Sequence, residues 1–181
     1  MYPFLRFRAA NRHARRQPPL GLFDAHLSHH RCLPWDLDPW VELNNGRTLT
    51  LYDLGRMGLA QRTGMVGLLG TQGWGIAVAG VSVRYRRRIK LFERVAMLTR
   101  LLGWDDRFLY LEQSLWKDGD CANQMLLRWA VTAADGIVPA PRVAEAMGHA
   151  SPSPMLAPWV QAWIAAESTR PWPPALTPEG L

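Results

Sequence analysis

The sequence predicts an α+β domain, with one long helix laid against an antiparallel sheet of about five strands. Three observations carry that expectation. One segment, Gly46–Arg62, is long and apolar on one side, as a packed helix should be. From Gly75 onward the apolar residues switch to a period of two, the repeat of a strand. Lys117-Asp118-Gly119-Asp120 places Asp-Gly between two such runs, which is hairpin chemistry because both central positions need positive φ.

Taken in order, Met1–Leu20 carries Arg6, Arg8, Arg12, Arg15 and Arg16 with no acid before Asp24, and it lacks the apolar centre of a secretory signal. It reads as an arm packed on the domain, as a short amphipathic helix touching anionic lipid, or, in a eukaryotic source, as an organelle-targeting segment, closed by Pro18-Pro19. Ala25–Leu37 reads as a strand, stopped by Pro39. Asn44 or Asn45 caps the main helix. Gly55 and Gly58 each cost about 1 kcal/mol against alanine inside it, and make sense if its backbone lies close to a sheet. Gly64 ends it.

In the next strand Val81, Val83 and Tyr85 point one way, and Ser82, Arg84, Arg86 and Arg88 the other. Ile76 and Val78 are out of phase with that set, so a bulge is expected near Ala79-Gly80. Arg94–Leu102, Phe108–Trp116 and Asn123–Thr132 complete the meander, and Gly136 ends the sheet. Arg142–Met147 and Pro158–Ala166 read as short helices flanked by Ser- and Pro-rich loops. The expected organisation is a basic arm over 1–24, the domain over 25–148 and a Pro/Trp-rich extension over 149–181. One helix covers one face of a sheet, so the sheet must curl around it or pair with another subunit.

The 181 residues are 48% hydrophobic, enough for one domain with a substantial core. No apolar run approaches the ~20 residues of a membrane span. Cys32 and Cys121 are too few for a disulfide framework, which points to a reducing, cytoplasmic setting. Neither they nor the five histidines offer metal spacing. No cofactor-binding Gly loop and no Gly-x-Ser-x-Gly elbow is present, so a serine-triad enzyme is unsupported. The net charge of +6 suits an anionic partner. Aromatics are not interleaved with the arginines on one strand face, which argues against nucleic acid.

Trp35-Asp36-Leu37-Asp38-Pro39, Leu43-Asn44-Asn45-Gly46-Arg47 and the helix positions Leu49, Asp53 and Arg56 resemble the hotdog-fold acyl-CoA thioesterases related to 4-hydroxybenzoyl-CoA thioesterase. Val81–Val95 and Gly103–Gln113 resemble their central strands, and the likeness runs from about Ser28 to Gly148. It implies a sheet wrapped around a central helix, a homodimer or homotetramer built by edge pairing, and an acyl-CoA or other acyl thioester as substrate, with no cofactor.

Asp38 matches the family's catalytic carboxylate, able to activate water or to attack directly. Backbone N–H groups around Asn45, Gly46 and Arg47 are expected to donate to the oxyanion, helped by the helix dipole. Asn44 or Asn45 either orients water or the ligand, or simply caps the helix. Many relatives carry Gly-His where this chain has Val41-Glu42. Glu42 is then either a second carboxylate beside Asp38 or a sign of altered activity. Asp53 is a candidate base if it faces the cleft, and a partner for Arg56 if it does not. Arg84, Arg86 and Arg88 are candidates for the phosphates of coenzyme A. A non-catalytic acyl-CoA-binding protein is the competing reading; a hotdog hydratase is weaker, since no histidine partners the acid.

Overall fold

The computed structural model describes residues 3–176. Its elements are α1 (Phe4–Arg15), β1 (His26–Arg31), a 3₁₀ turn (Pro34–Asp36), α2 (Asn45–Arg62), α3 (Met65–Gln72), β2 (Gly75–Tyr85), β3 (Arg94–Trp104), β4 (Leu109–Lys117), β5 (Asp120–Ala133), β6 (Gly136–Val138), α4 (Ala140–Ala146) and α5 (Pro158–Thr169). The strands form one antiparallel sheet in the order β1-β3-β4-β5-β2, with β6 added beside β5. This curled sheet with helices is the expected hotdog architecture.

Period-two patterning sets the inner face. Val95, Met97, Thr99 and Leu101 of β3, Leu109, Leu111, Gln113 and Leu115 of β4, and Asn123, Met125, Leu127, Trp129 and Val131 of β5 are all buried. Facing them, α2 buries Leu51, Tyr52, Leu54, Gly55, Gly58 and Leu59. The helix backbone sits very close to the sheet. A Cβ at Gly55 would lie 2.3 Å from Met97 Sδ and 2.8 Å from Thr99 Oγ1, and one at Gly58 would lie 2.3 Å from His26 Nε2. The expected reason for both glycines is therefore present. The His26 ring is itself fixed, because its Nδ1 accepts from Arg62 Nη1 at 3.0 Å. Burial, then the Arg62 charge, holds its pKa down to about 4, so the ring is the neutral acceptor this bond needs.

Local chemistry placed most boundaries. Asn44 caps α2, its Oδ1 accepting from Gly46 N at 2.8 Å and Arg47 N at 3.2 Å. Gly64 turns the chain out of α2 with φ 82°. The register of β2 on β5 shifts between Val78 and Gly80, where the bulge was expected. Asp118 and Gly119, with φ 51° and 86°, make the β4–β5 hairpin.

Several expectations need correction. The strand predicted over Ala25–Leu37 is only His26–Arg31, because Pro34 opens a 3₁₀ turn that removes the chain from the sheet. Gly136 does not end the sheet; it begins β6, pairing Ala133↔Gly136 after a turn of its own. α3 was not anticipated, since Gly67 and Gly70 weaken its pattern, and left-handed glycines at 64 and 73 bound it. The arm is helical and docked: Phe7, Ala10 and Ala14 face the domain, Arg6 Nη1 donates to Asp36 Oδ2 at 2.7 Å, and Leu20 N donates to Arg62 O at 3.0 Å. The outer sheet face is not left wholly to another subunit. Val160, Trp163 and Ile164 of α5 cover Tyr110 and Leu126. Arg128 pins that helix, donating to Glu167 at 3.1 Å with its guanidinium over Phe108 and Trp163. Of the Pro-rich end, residues 177–181 lie outside the described residues.

Alanine is the better helix former, yet Gly58→Ala and Gly55→Ala are expected to destabilise the protein by about 1–3 kcal/mol each through overpacking. Gly58→Ala should cost more, because the anchored His26 ring yields less than the Met97 thioether. Urea unfolding midpoints test this, and a rise in either variant's midpoint would contradict the close approach.

Candidate active site

Asp36, Asp38, Glu42, Asn44, Asn45, Gly46 and Arg47 lie where the 3₁₀ turn leads into α2, and of these Glu42 and Asn45 line the cleft described below while Asp38 stands in the loop outside it. Residues 37–43 form a tight loop closed by a Leu37↔Leu43 bridge, by Asp38 N to Glu42 O at 2.9 Å and by Asn44 N to Asp36 O at 2.8 Å. Asp36 is buried and accepts from Leu33 N at 3.0 Å as well as from Arg6, so it holds the turn together. Asp38 is half-buried. Its Oδ1 accepts from Trp40 N at 2.9 Å and Glu42 N at 3.3 Å, while its Oδ2 has no partner among the described residues. The carboxylate is thus oriented by the backbone through one oxygen and open at the other.

Val41, where the family resemblance leads one to expect glycine, adopts φ 61°. A β-branched residue in the left-handed region is strained, at a cost on the order of 1–3 kcal/mol. The loop shape that glycine permits is therefore kept here without glycine.

Glu42 lines a cleft of about 240 Å³ with Asn45, Thr48, Tyr85, Arg86 and Asn123. Its carboxylate pairs with Arg88 Nε at 3.1 Å, and its backbone bridges to Lys90. A second cleft of about 470 Å³ adjoins it, sharing Arg86, Arg87 and Asn123 and adding Arg84 and Gln124. Arg84 and Arg86 have no acidic partner among the described residues, whereas Arg87 reaches Asp120 at 3.4 Å. The arginines do not share one strand face as predicted. β2 stops at Tyr85, and the N–H groups of Arg86 and Arg87 both donate to Ala122 O at 2.9 Å, so Arg86 and Arg88 leave the alternation.

The oxyanion donors also need correction. The N–H groups of Gly46 and Arg47 are taken by the Asn44 cap. The Asn45 N–H, first in the helix, is left without a partner among the described residues. Asp53 does not line either cleft. It pairs with Arg56, whose Nη1 also donates to Gln113 Oε1 at 2.9 Å. Sequence reasoning missed Thr48, Tyr85 and Asn123. Asn123 is buried at an inward strand position and accepts from Tyr52 Oη at 2.5 Å, beneath the cleft. A polar residue in phase with Met125 and Leu127 was the available signal.

With the loop, cap and cleft in view, comparison with known proteins places the chain. Residues 32–164 match the thioesterase-like superfamily. The chain belongs to that superfamily. It is 38% identical over 101 residues to Protein THEM6 of Xenopus laevis, covering 55% of this chain and 49% of that protein. To Protein THEM6 of Danio rerio it is 32% identical over 102 residues, covering 55% and 50%. It thus spans about half the length of the curated relatives it matches. Among solved structures, the DHNA-CoA thioesterase of Staphylococcus aureus superposes with TM-score 0.60 at 14% identity, covering 80% of this chain and 91% of that one. The 1,4-dihydroxy-2-naphthoyl-CoA thioesterase of Synechocystis gives 0.60 at 6% identity, covering 68% and 95%. At such identities these structures speak to the fold alone. No helix among the described residues is long and apolar enough to cross a membrane.

Val41→Gly is expected to raise the free energy of unfolding by about 1 kcal/mol by relieving the positive-φ strain. Glycine's extra freedom in the unfolded chain offsets part of that gain. Denaturant titration of the two proteins measures it, and a less stable glycine variant would show that the Val41 side chain contributes more by contact than its backbone costs.

Proposed function

We propose that this protein hydrolyses an acyl-CoA or related acyl thioester, with Asp38 as the reacting carboxylate. The observation that supports this reading is the Asp38 carboxylate itself. It is oriented by two backbone N–H groups through Oδ1, with Oδ2 open, in the loop that feeds the N-terminus of α2. In the general-base form, Oδ2 takes a proton from water as the water oxygen bonds to the thioester carbonyl carbon. The carbonyl oxygen gains negative charge beside the Asn45 N–H and the positive end of the helix. The tetrahedral intermediate then breaks its C–S bond, and the proton leaves with the thiolate. In the nucleophilic form, Oδ2 bonds to the carbonyl carbon directly and expels the thiolate, leaving an anhydride for water to open. Arg84 and Arg86, without acidic partners among the described residues, suit the phosphates of the carrier.

A second reading, binding of acyl-CoA without turnover, is favoured by two specific features. Glu42 stands where the family resemblance implies a histidine in many relatives, its carboxylate pairs with Arg88, and the N–H groups of Gly46 and Arg47 are taken by Asn44. Release of free thiol from short, long and aromatic acyl-CoAs by the wild type and by Asp38→Asn decides between them. Hydrolysis predicts a fall of at least about 100-fold in the variant, the usual worth of a positioned base. Binding alone predicts no thiol release from either protein, with acyl-CoA affinity retained.

The same reading includes a homodimer paired along β2. That strand is an eleven-residue edge, and Val78, Val81 and Tyr85 are 49, 40 and 44% exposed on it. Val81→Asp is expected to shift the mass in light scattering from dimer to monomer. A monomeric wild type, or a dimer indifferent to this change, would move the seam elsewhere.

A further inference from the structure

We propose that the outward face of α1, with the apolar residues at its N-terminal end, docks on an anionic lipid bilayer. This inference is independent of the thioester reading.

α1 has two faces of opposite character. Phe7, Ala10 and Ala14 turn to the domain, and Leu5, Arg8, Arg12 and the C-cap residue Arg16 turn to solvent in a stripe of i, i+3 and i, i+4 steps. Arg8, Arg12 and Arg16 take part in no ion pair among the described residues, and no acid precedes Asp24 in the chain. A shallow concavity of about 770 Å³ runs along this face. Nothing in the chemistry of the thioester site uses it.

The apolar end is built by three hydrogen bonds. Arg6 donates to Asp36 Oδ2 at 2.7 Å and to Arg31 O at 2.6 Å, which sets the start of α1 beside the 3₁₀ turn and Trp35. Phe92 N donates to Cys32 O at 2.8 Å, bringing the β2–β3 loop to the same stretch. Leu5, Trp35 and Phe92 are 84, 60 and 55% exposed. Phe92 holds φ 62° to stand there.

Arginines with aliphatic stems beside exposed aromatic and aliphatic groups match the boundary between headgroups and acyl chains. A nucleic-acid backbone satisfies the arginines but leaves Leu5, Trp35 and Phe92 in water. A second copy across a two-fold axis sets the same unpaired arginines against each other. An anionic bilayer accommodates both parts of the surface.

The test is co-sedimentation of the full chain with phosphatidylcholine vesicles, and with vesicles in which about a third of the lipid is phosphatidylserine. Binding is expected to the second alone, weakened at about 0.5 M salt, where screening acts within a few ångströms. The triple variant Arg8→Ser, Arg12→Ser, Arg16→Ser is expected to bind about 100-fold more weakly. The pair Leu5→Ser, Trp35→Ser is expected to lose about tenfold. Thermal unfolding of both variants should match the wild type, since these side chains are exposed. Equal binding to both vesicles, no binding to either, or variants that bind like wild type would overturn the proposal. So would wild type that leaves anionic vesicles and instead binds a DNA duplex, or variants that change only the oligomeric state.

Discussion

Everything at the site depends on how closely α2 lies against the sheet. Gly55 and Gly58 leave no room for a Cβ, so helix backbone meets strand side chains directly. Such closeness buries polar groups, and each must find a partner. Gln113 answers for several at once: its Nε2 donates to Tyr52 O and Thr99 Oγ1, both at 2.9 Å, and its Oε1 accepts from Arg56. Arg56 is buried and keeps its charge compensated through Asp53, which sits at the solvent edge. Asp53 is therefore part of the fastening of helix to sheet. This explains why a carboxylate can sit in the middle of α2 without lining either cleft.

That fastening fixes the N-terminus of α2, and the loop before it follows. Leu43 N donates to Ile89 O and Asn44 N to Asp36 O, both at 2.8 Å, so the loop is tied on one side to the segment after β2 and on the other to the 3₁₀ turn. Asp38 reaches its orientation only because this loop is closed. The arm contributes as well, since Arg6 supplies the charge that lets Asp36 be buried beside Leu33 N. An extension that looks dispensable in the sequence is thus joined to the turn that carries the carboxylate.

What the sequence disclosed was decided by local chemistry. Asn44 as a cap, the shift at Val78–Gly80 and the Asp118-Gly119 hairpin each follow from a few neighbouring residues, and all are present. Gly55 and Gly58 were legible because an unfavourable residue in a helix demands a reason. The opaque features depend on distant partners. Alternation alone cannot show that Ala122 O takes the N–H groups of Arg86 and Arg87 and draws the chain off the sheet. Nor can it show that α5 returns to cover Tyr110 and Leu126. The capping of Gly46 and Arg47 lay in between. Asn44 was seen as a cap, but the same cap removes the donors assigned to the oxyanion.

The exchange of Gly-His for Val41-Glu42 alters strain and charge together. Glycine would leave the loop relaxed, whereas Val41 stores strain in it that the surrounding bonds must hold. Histidine would present a neutral or cationic ring to the cleft, whereas Glu42 brings a negative charge that draws in Arg88. That pairing takes one arginine of the three sequence candidates, while Arg84 and Arg86 have no acidic partner among the described residues. The cleft thus holds Glu42 and Arg88 and, among its lining residues, no histidine. Of the N–H groups of Asn45, Gly46 and Arg47, that of Asn45 alone is without a partner among the described residues.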